Sequence, residues 1–479
     1  MNAVQDARRI SSVCVVGAGT VGLSAAIAFA RSMPQISVTL VSVSPDPASL
    51  TDCLPGTQPA IRSFHALIGL DEMDLVQQGI ATHRVGTRFA RWAPANASFV
   101  HATGQYGRDA NAVPFHQVWV QARRAGRAAA FHRYSMAAVL AEAGKFVHPQ
   151  PDPAGPLGSF EYALRLDPDR YRVRLGQLAE GLPIDQQAGE VRGIERRSDG
   201  GISALLLSGE RRIEADLYLD CTGPTTLVSP QLDCEFEDWS AWLPPMRIAC
   251  SAEGQAVSSS CDTFTRNPHG WTFSAPLGDR QFMAEGYLPG ETAPDGAFAV
   301  QPGRRLKPWC RNVLAIGSGA IGVDLVGQLN LHLAHSAIIR ALSLLPGRDC
   351  HPLELREYNR QTEEEALRVR DFLALHYLHW DCAGWQAQPP PNSLADTLDQ
   401  FEARGRLPFY EGETFDRHGW LAVLLGLGLL PRQTDPAALA VDPAAADAGM
   451  QRLADEFTRL AQDCPSYEEY LQHLRLSRA

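Results

Sequence analysis

The chain has 479 residues, 45% of them hydrophobic and 20% charged, with a formal net charge of −11. That length excludes a small disulfide- or metal-stapled scaffold. The composition excludes global disorder, and from the acidic balance no basic footprint for nucleic acid is expected beyond a local patch. The 10 cysteines run from Cys14 to Cys464 without a Cys-x-x-Cys pair. This points to reduced thiols and a cytoplasmic protein rather than to a disulfide framework or a zinc ribbon. Arg8-Arg9 before the apolar stretch Val13–Ala30 looks like an export signal, but Gly17, Gly19, Thr20, Gly22 and Ser24 interrupt that stretch where a turn needs them. Trp420–Leu430 is about half a membrane span, so no membrane partner is expected.

In chain order, Ser12–Val16 predicts a short buried strand, Gly17-Ala18-Gly19-Thr20-Val21-Gly22 a turn, Leu23–Arg31 an Ala-rich helix and Ser37–Val43 a second strand. A strand, glycine turn, helix and strand within about 30 residues form the first unit of a dinucleotide-binding fold. Gly17 permits the tight turn, Gly19 lets the backbone approach a diphosphate, and Gly22 lets helix and strand pack closely. The helix start at Thr20 then offers free N–H groups to the phosphates. Ser42 stands where an acidic residue is expected to bind the adenosine ribose. Ala215–Gly223 predicts another strand, ending in Thr222-Gly223. Asn312–Gly319 predicts a returning strand that ends in glycines and leads into a helix over Asp324–Leu342. A module interrupted by insertions and completed near residue 320 is the layout of an FAD-binding protein, with the isoalloxazine near Gly317–Gly322.

The expected class is therefore α/β: a Rossmann-like FAD-binding module over residues 1–345, with insertions at about 91–160 and 236–300 forming a substrate-covering layer. A helical C-terminal region over 346–479 completes the chain, including helical pattern over Pro352–Trp385 and a final amphipathic helix over Gln451–Leu476. Two His pairs at i, i+3 spacing, His332/His335 and His376/His379, lack a third ligand at a recognisable spacing, so no metal is expected. Ser24, Ser63 and Ser135 lack a G-x-S-x-G elbow.

Four separated segments, in order, resemble the flavin-dependent tryptophan halogenases. They are Gly56–Trp92, the stretch Gly270-Trp271-Thr272-Phe273-Ser274-Ala275-Pro276-Leu277 in place of a W-x-W-x-I-P signature, Phe372–Trp380, and Gly419–Pro431. The resemblance implies reduced FAD delivered by a separate flavin reductase, oxidation of halide by oxygen at the flavin, and passage of hypohalous acid through a tunnel. It further implies that a Lys amine presents the halogen to an indole-like substrate while a Glu assists proton removal. Trp271 and Phe273 would then separate substrate from flavin, or serve only as core aromatics. The resemblance leaves a homodimer open.

At several of the implied positions this chain differs. The Lys position falls on Arg84, which stays protonated and cannot form a haloamine, but can polarise a hypohalous acid or hold a carboxylate. A solvated surface Arg beside Arg88 and Arg91 is the competing reading. The Pro-Leu-Glu-Ser-Thr run reads Leu325-Val326-Gly327-Gln328-Leu329, so the Glu becomes Gly327. The Gly-Val-Gly-Glu-Gly-Thr run reads Asp52-Cys53-Leu54-Pro55-Gly56-Thr57, so its Glu becomes Pro55. His101 matches a family His beside the substrate, and either orients substrate, acts as acid or base, or is structural. The expected function is an FAD-dependent oxidoreductase acting with oxygen on an aromatic substrate. The alternative is a non-catalytic relative that binds an aromatic ligand or a partner protein.

Overall fold

The computed structural model describes residues 9–109, 113–226, 228, 235–255, 257–382, 384–408, 410 and 412–476. The chain forms two compact units, each assembled from three stretches: 1–81, 165–240 and 298–367 in the first, and 82–164, 241–297 and 368–479 in the second.

In the first unit, Ser12–Val16 lies between Leu217–Asp220 and Ser37–Ser42. Val313–Ala315 flanks the former and Ile184–Ala188 the latter, all parallel, and Trp309–Cys310 adds an antiparallel edge. A parallel sheet covered on both faces calls for continuous apolar runs, and Val13 to Val16 are fully buried. The helix Thr20–Ser32 buries every residue from Thr20 to Ala30, which its Ala-rich sequence permits without a bulky face. The helix expected from Asp324 begins instead at Asn330. Gly327 and Gln328 take φ of +83° and +53°, and the Gln328 N–H bonds back to the Leu325 carbonyl at 2.8 Å. A right-handed helix cannot contain that turn.

In the second unit the strand order is Met246–Glu253, Arg280–Tyr287, Gly270–Leu277, Cys261–Asn267, Gly86–Ala90 and Phe99–Ala102. Neighbours are antiparallel except Cys261–Asn267 and Gly86–Ala90, which run parallel. Trp271, Phe273 and Ala275 share the buried face of their strand, and Thr272 and Ser274 take the other. Helices Asn392–Arg404, Arg417–Gly426, Pro443–Asp463 and Tyr467–Leu476 follow. The single final helix expected over Gln451–Leu476 is thus two helices. Cys464 is extended and Pro465 lacks the N–H that would continue the first of them. The expected helical stretch to Trp385 stops at Tyr377, and Asp381–Cys382 then pairs with Trp385–Gln386. Among the described residues no helix is long and apolar enough to cross a membrane, and no cysteine is in a disulfide.

Candidate functional sites

The first site lies at the carboxyl ends of the parallel strands. Gly17 leaves the sheet at φ +112°, where a Cβ would sit 2.6 Å from the Cys221 carbonyl oxygen. A Cβ on Gly22 would run into the Gly17 carbonyl. Only glycine lets this helix start so close to two strands. Gly223 leads out of the neighbouring strand against Asp46, and Gly317 opens the turn Gly317–Gly319 with Val21 3.3 Å from its Cβ position. Ser42 ends its strand half-buried, paired in register with Ala188. The structure therefore gathers Gly17, Gly19, Thr20, Gly22, Ser42, Gly223 and Gly317 at one end of one sheet. Gly322 belongs to a different sheet, where it pairs with Gly303.

The turn fits a dinucleotide in shape: Gly17, Gly19 and Gly22 leave its backbone bare at three of six positions, and the buried Thr20 hydroxyl has no hydrogen-bond partner. Its amides are less free. Gly17 and Ala18 donate to the Val41 and Val43 carbonyls, and Thr20 N–H donates to the Asp52 carboxylate at 2.6 Å. In the sequence Asp52 only opens an altered run; its contact spans 32 residues and has no local signal.

The second site is built on adjacent strands of the second unit. The register sets Asp262 beside Thr87 and Thr87 opposite His101. Arg84 donates to the Thr87 hydroxyl at 3.0 Å, and its Nε lies 3.6 Å from the Asp262 carboxylate. The Arg84 side chain is only 11% exposed and that of Asp262 is fully buried, so the surface-Arg reading of Arg84 does not hold. Arg91, by contrast, is exposed, and Arg88 pairs with Glu142. The ring of His101 packs 5.7 Å from Phe372 and 5.8 Å from Phe415, which stack on each other at 3.7 Å. Burial, then His376, then Arg84 push the His101 pKa down to about 3. The ring is therefore neutral near pH 7, with one donor and one acceptor nitrogen.

His376, which the sequence offers only as half of a His pair, is one of the groups that act on His101. It is buried, with Nδ1 2.9 Å from the Phe372 carbonyl and Nε2 without a partner, and burial pushes its pKa down to about 4. Its own carbonyl accepts from Trp92 Nε1 at 2.9 Å. Trp271 and Phe273 are fully buried around Phe264, at 5.4 Å and 4.6 Å. A cavity of 550 Å³ in the same unit is lined by Arg368, Tyr410, Glu413 and Trp420 among others. The Arg368 guanidinium lies over the Tyr410 ring at 4.0 Å and the Trp420 ring at 4.8 Å, and it bonds Glu413 at 2.7 Å. Trp420 in turn meets Phe372 at 5.3 Å. No motif marked Arg368 or Glu413.

A parallel sheet with a glycine-lined dinucleotide turn in one unit, and Arg84, His101 and His376 with an aromatic cavity in the other, define a flavoprotein oxidoreductase class. The comparisons narrow it. The profile of the tryptophan halogenase family matches residues 12–443, and the chain belongs to that family. The flavin-dependent halogenase BrvH from Brevundimonas sp. BAL3 is 31% identical, with a TM-score of 0.90 over 97% of this chain and 99% of that one. A flavin-dependent halogenase from Xanthomonas campestris is 28% identical, with a TM-score of 0.89 over 98% and 99%. The tryptophan 6-halogenase SttH of Streptomyces toxytricini is 25% identical over 97% of this chain and 98% of its own.

Proposed function

We propose that this chain oxidises an aromatic, indole-like small molecule, using reduced FAD from a separate flavin reductase together with oxygen. Gly17, Gly19, Thr20 and Gly22 would hold the diphosphate, Ser42 the ribose, and Gly223, Gly317 and Gly322 the ring side of the cofactor. When bound, reduced FAD supplies the electrons that activate oxygen.

The observation that carries the reading is the joining of Arg84, Thr87, His101 and Asp262 across neighbouring strands, with Phe372 and Phe415 beside His101. Arg84 keeps its proton, so it acts by charge and hydrogen bonding, on a hypohalous acid or on a substrate carboxylate. Neutral His101 orients the substrate by one hydrogen bond. The Lys/Glu route of the family is not the route here, because Gly327 carries no carboxylate. In its place stands a tight turn whose carbonyl accepts from Gln58 Nε2 at 2.6 Å. Trp271 and Phe273 would keep substrate and flavin apart from within the aromatic core. The cavity at Tyr410 and Trp420 is the proposed entry for the ring.

The test is mass spectrometry of indole substrates after incubation with a flavin-recycling reductase and chloride or bromide. Halogenated or oxygenated product supports the reading. No product from any indole, with reduced FAD oxidised no faster than in a protein-free control, would favour a non-catalytic, ligand-binding relative instead. Free tryptophan is expected to be chlorinated poorly, because loss of a positioned base costs about 10²–10⁴-fold.

A further inference from the structure

The start of the helix Thr20–Ser32 has no acidic residue in its first turn and no cap from Gly19. Its charge is met from elsewhere in the chain. The Asp52 carboxylate, in a side chain only 10% exposed, takes the Thr20 N–H on Oδ1 at 2.6 Å and the Ser49 hydroxyl on Oδ2 at 2.8 Å. A Cβ on Gly19 would lie 2.6 Å from Oδ2 and 3.0 Å from Oδ1. The carboxylate therefore lies against the one glycine whose bareness serves to admit a diphosphate. Beside it the Thr20 hydroxyl is buried and unpartnered, a polar group that an incoming phosphate oxygen would satisfy.

Two anions cannot share that position. A carboxylate against a diphosphate in a partly desolvated pocket is a like-charge contact, and both compete for the same amide and the same partial positive charge. The structure also offers the carboxylate somewhere to go. The Arg172 Nη1 atom, on the helix Pro168–Glu180, lies 3.9 Å from Asp52 Oδ1, and that guanidinium otherwise pairs with Asp169. The turn Leu50–Asp52 that carries Asp52 is a single short 3₁₀ turn, a small element to displace.

We propose that Asp52 is an internal stand-in for the cofactor's diphosphate. It closes the cradle in cofactor-free protein, and FAD enters by displacing its carboxylate towards Arg172. This rests on the reading that the chain uses FAD at this turn. Asp52 is then a determinant of cofactor affinity that adds to the effect of Ser42, and it acts on any ligand that brings a diphosphate.

The experiment titrates cofactor-free protein with FAD, following flavin fluorescence, and separately with ADP by calorimetry. The wild type is compared with Asp52→Asn and Asp52→Ser, each of which keeps an acceptor near Thr20 but removes the charge. Both variants should bind FAD and ADP about tenfold or more tightly than wild type, the span expected when a charge-assisted hydrogen bond no longer has to be broken. They should also melt at lower temperature without ligand, having lost the charge on the helix start. Arg172→Ala should weaken FAD binding in the wild-type background and have little effect in the Asp52→Asn background. Equal or weaker FAD and ADP affinity in folded Asp52 variants would overturn the proposal while leaving the flavin reading intact. Failure of both wild type and variants to bind FAD would overturn both.

Discussion

Arg84 and Asp262 set the terms for any experiment on the second site. Arg84→Ala would take a guanidinium away from beside a fully buried carboxylate, and removing one partner of a buried ion pair costs up to about 3–5 kcal/mol. Urea unfolding of Arg84→Ala should show that loss, and Arg84→Ala combined with Asp262→Asn should recover part of it. Unchanged stability in the single variant would mean that Asp262 is not held by Arg84. Arg84→Lys keeps a charge near Asp262 and should stay folded, yet it should not create tryptophan chlorination, because Gly327 still offers no base. Product analysis of that variant checks the point directly. Ser42→Asp belongs to the same scale. A carboxylate bonding ribose hydroxyls is worth about 1 kcal/mol more than a hydroxyl does, so FAD should bind roughly fivefold tighter. A fluorescence titration in which this variant binds no better than wild type would remove Ser42 from the ribose site.

Among the elements, the turn Gly17–Gly22 and its helix are the least tolerant. Gly22→Ala puts a methyl group into the Gly17 carbonyl at the base of a helix buried from Thr20 to Ala30, which should cost about 1–3 kcal/mol and abolish FAD binding. Denaturation and flavin titration of that variant measure the two effects separately. This element was legible because its information is local: an apolar run, glycines at fixed offsets, then a helical period. The later elements were legible in kind but not in extent. The helix expected from Asp324 starts at Asn330 because Gly327 and Gln328 turn with positive φ, which for Gln328 no residue type announces. The break before Tyr467 is marked in the sequence by Pro465, which lacks the N–H that a continuous helix needs. The contacts that make the sites carry no local signal at all. Asp52 reaches Thr20, Asp262 reaches Arg84, and His376 influences His101 only because separate stretches of chain are laid side by side.

For the molecule as a whole, acid should be the vulnerable direction. Burial pushes the imidazoles of His65, His116 and His376 down to about 4 and that of His101 to about 3, and holds His335 well below its ordinary value. Below about pH 6.5 the unfolded chain takes up protons that these folded sites refuse, so stability falls as pH drops from about 6.5 towards 4. Thermal melts should be nearly constant from pH 8 to 7 and fall steeply between pH 6.5 and 4.5; a flat profile to pH 5 would mean that these rings are hydrated in the folded state. The division of each unit among three stretches of sequence has a different kind of consequence, for manufacture by the ribosome. Ser12–Val16 emerges early, but its neighbour Leu217–Asp220 follows about 200 residues later, a wait of roughly 10–40 s at about 5–20 residues per second. Val313–Ala315 comes later still, and the second unit lacks its last stretch until translation passes residue 368. One edge of Ser12–Val16, whose other edge pairs with Ser37–Ser42, therefore stands open on the nascent chain until residue 217 is made, and a gene fragment cut at residue 345 would deliver neither unit whole.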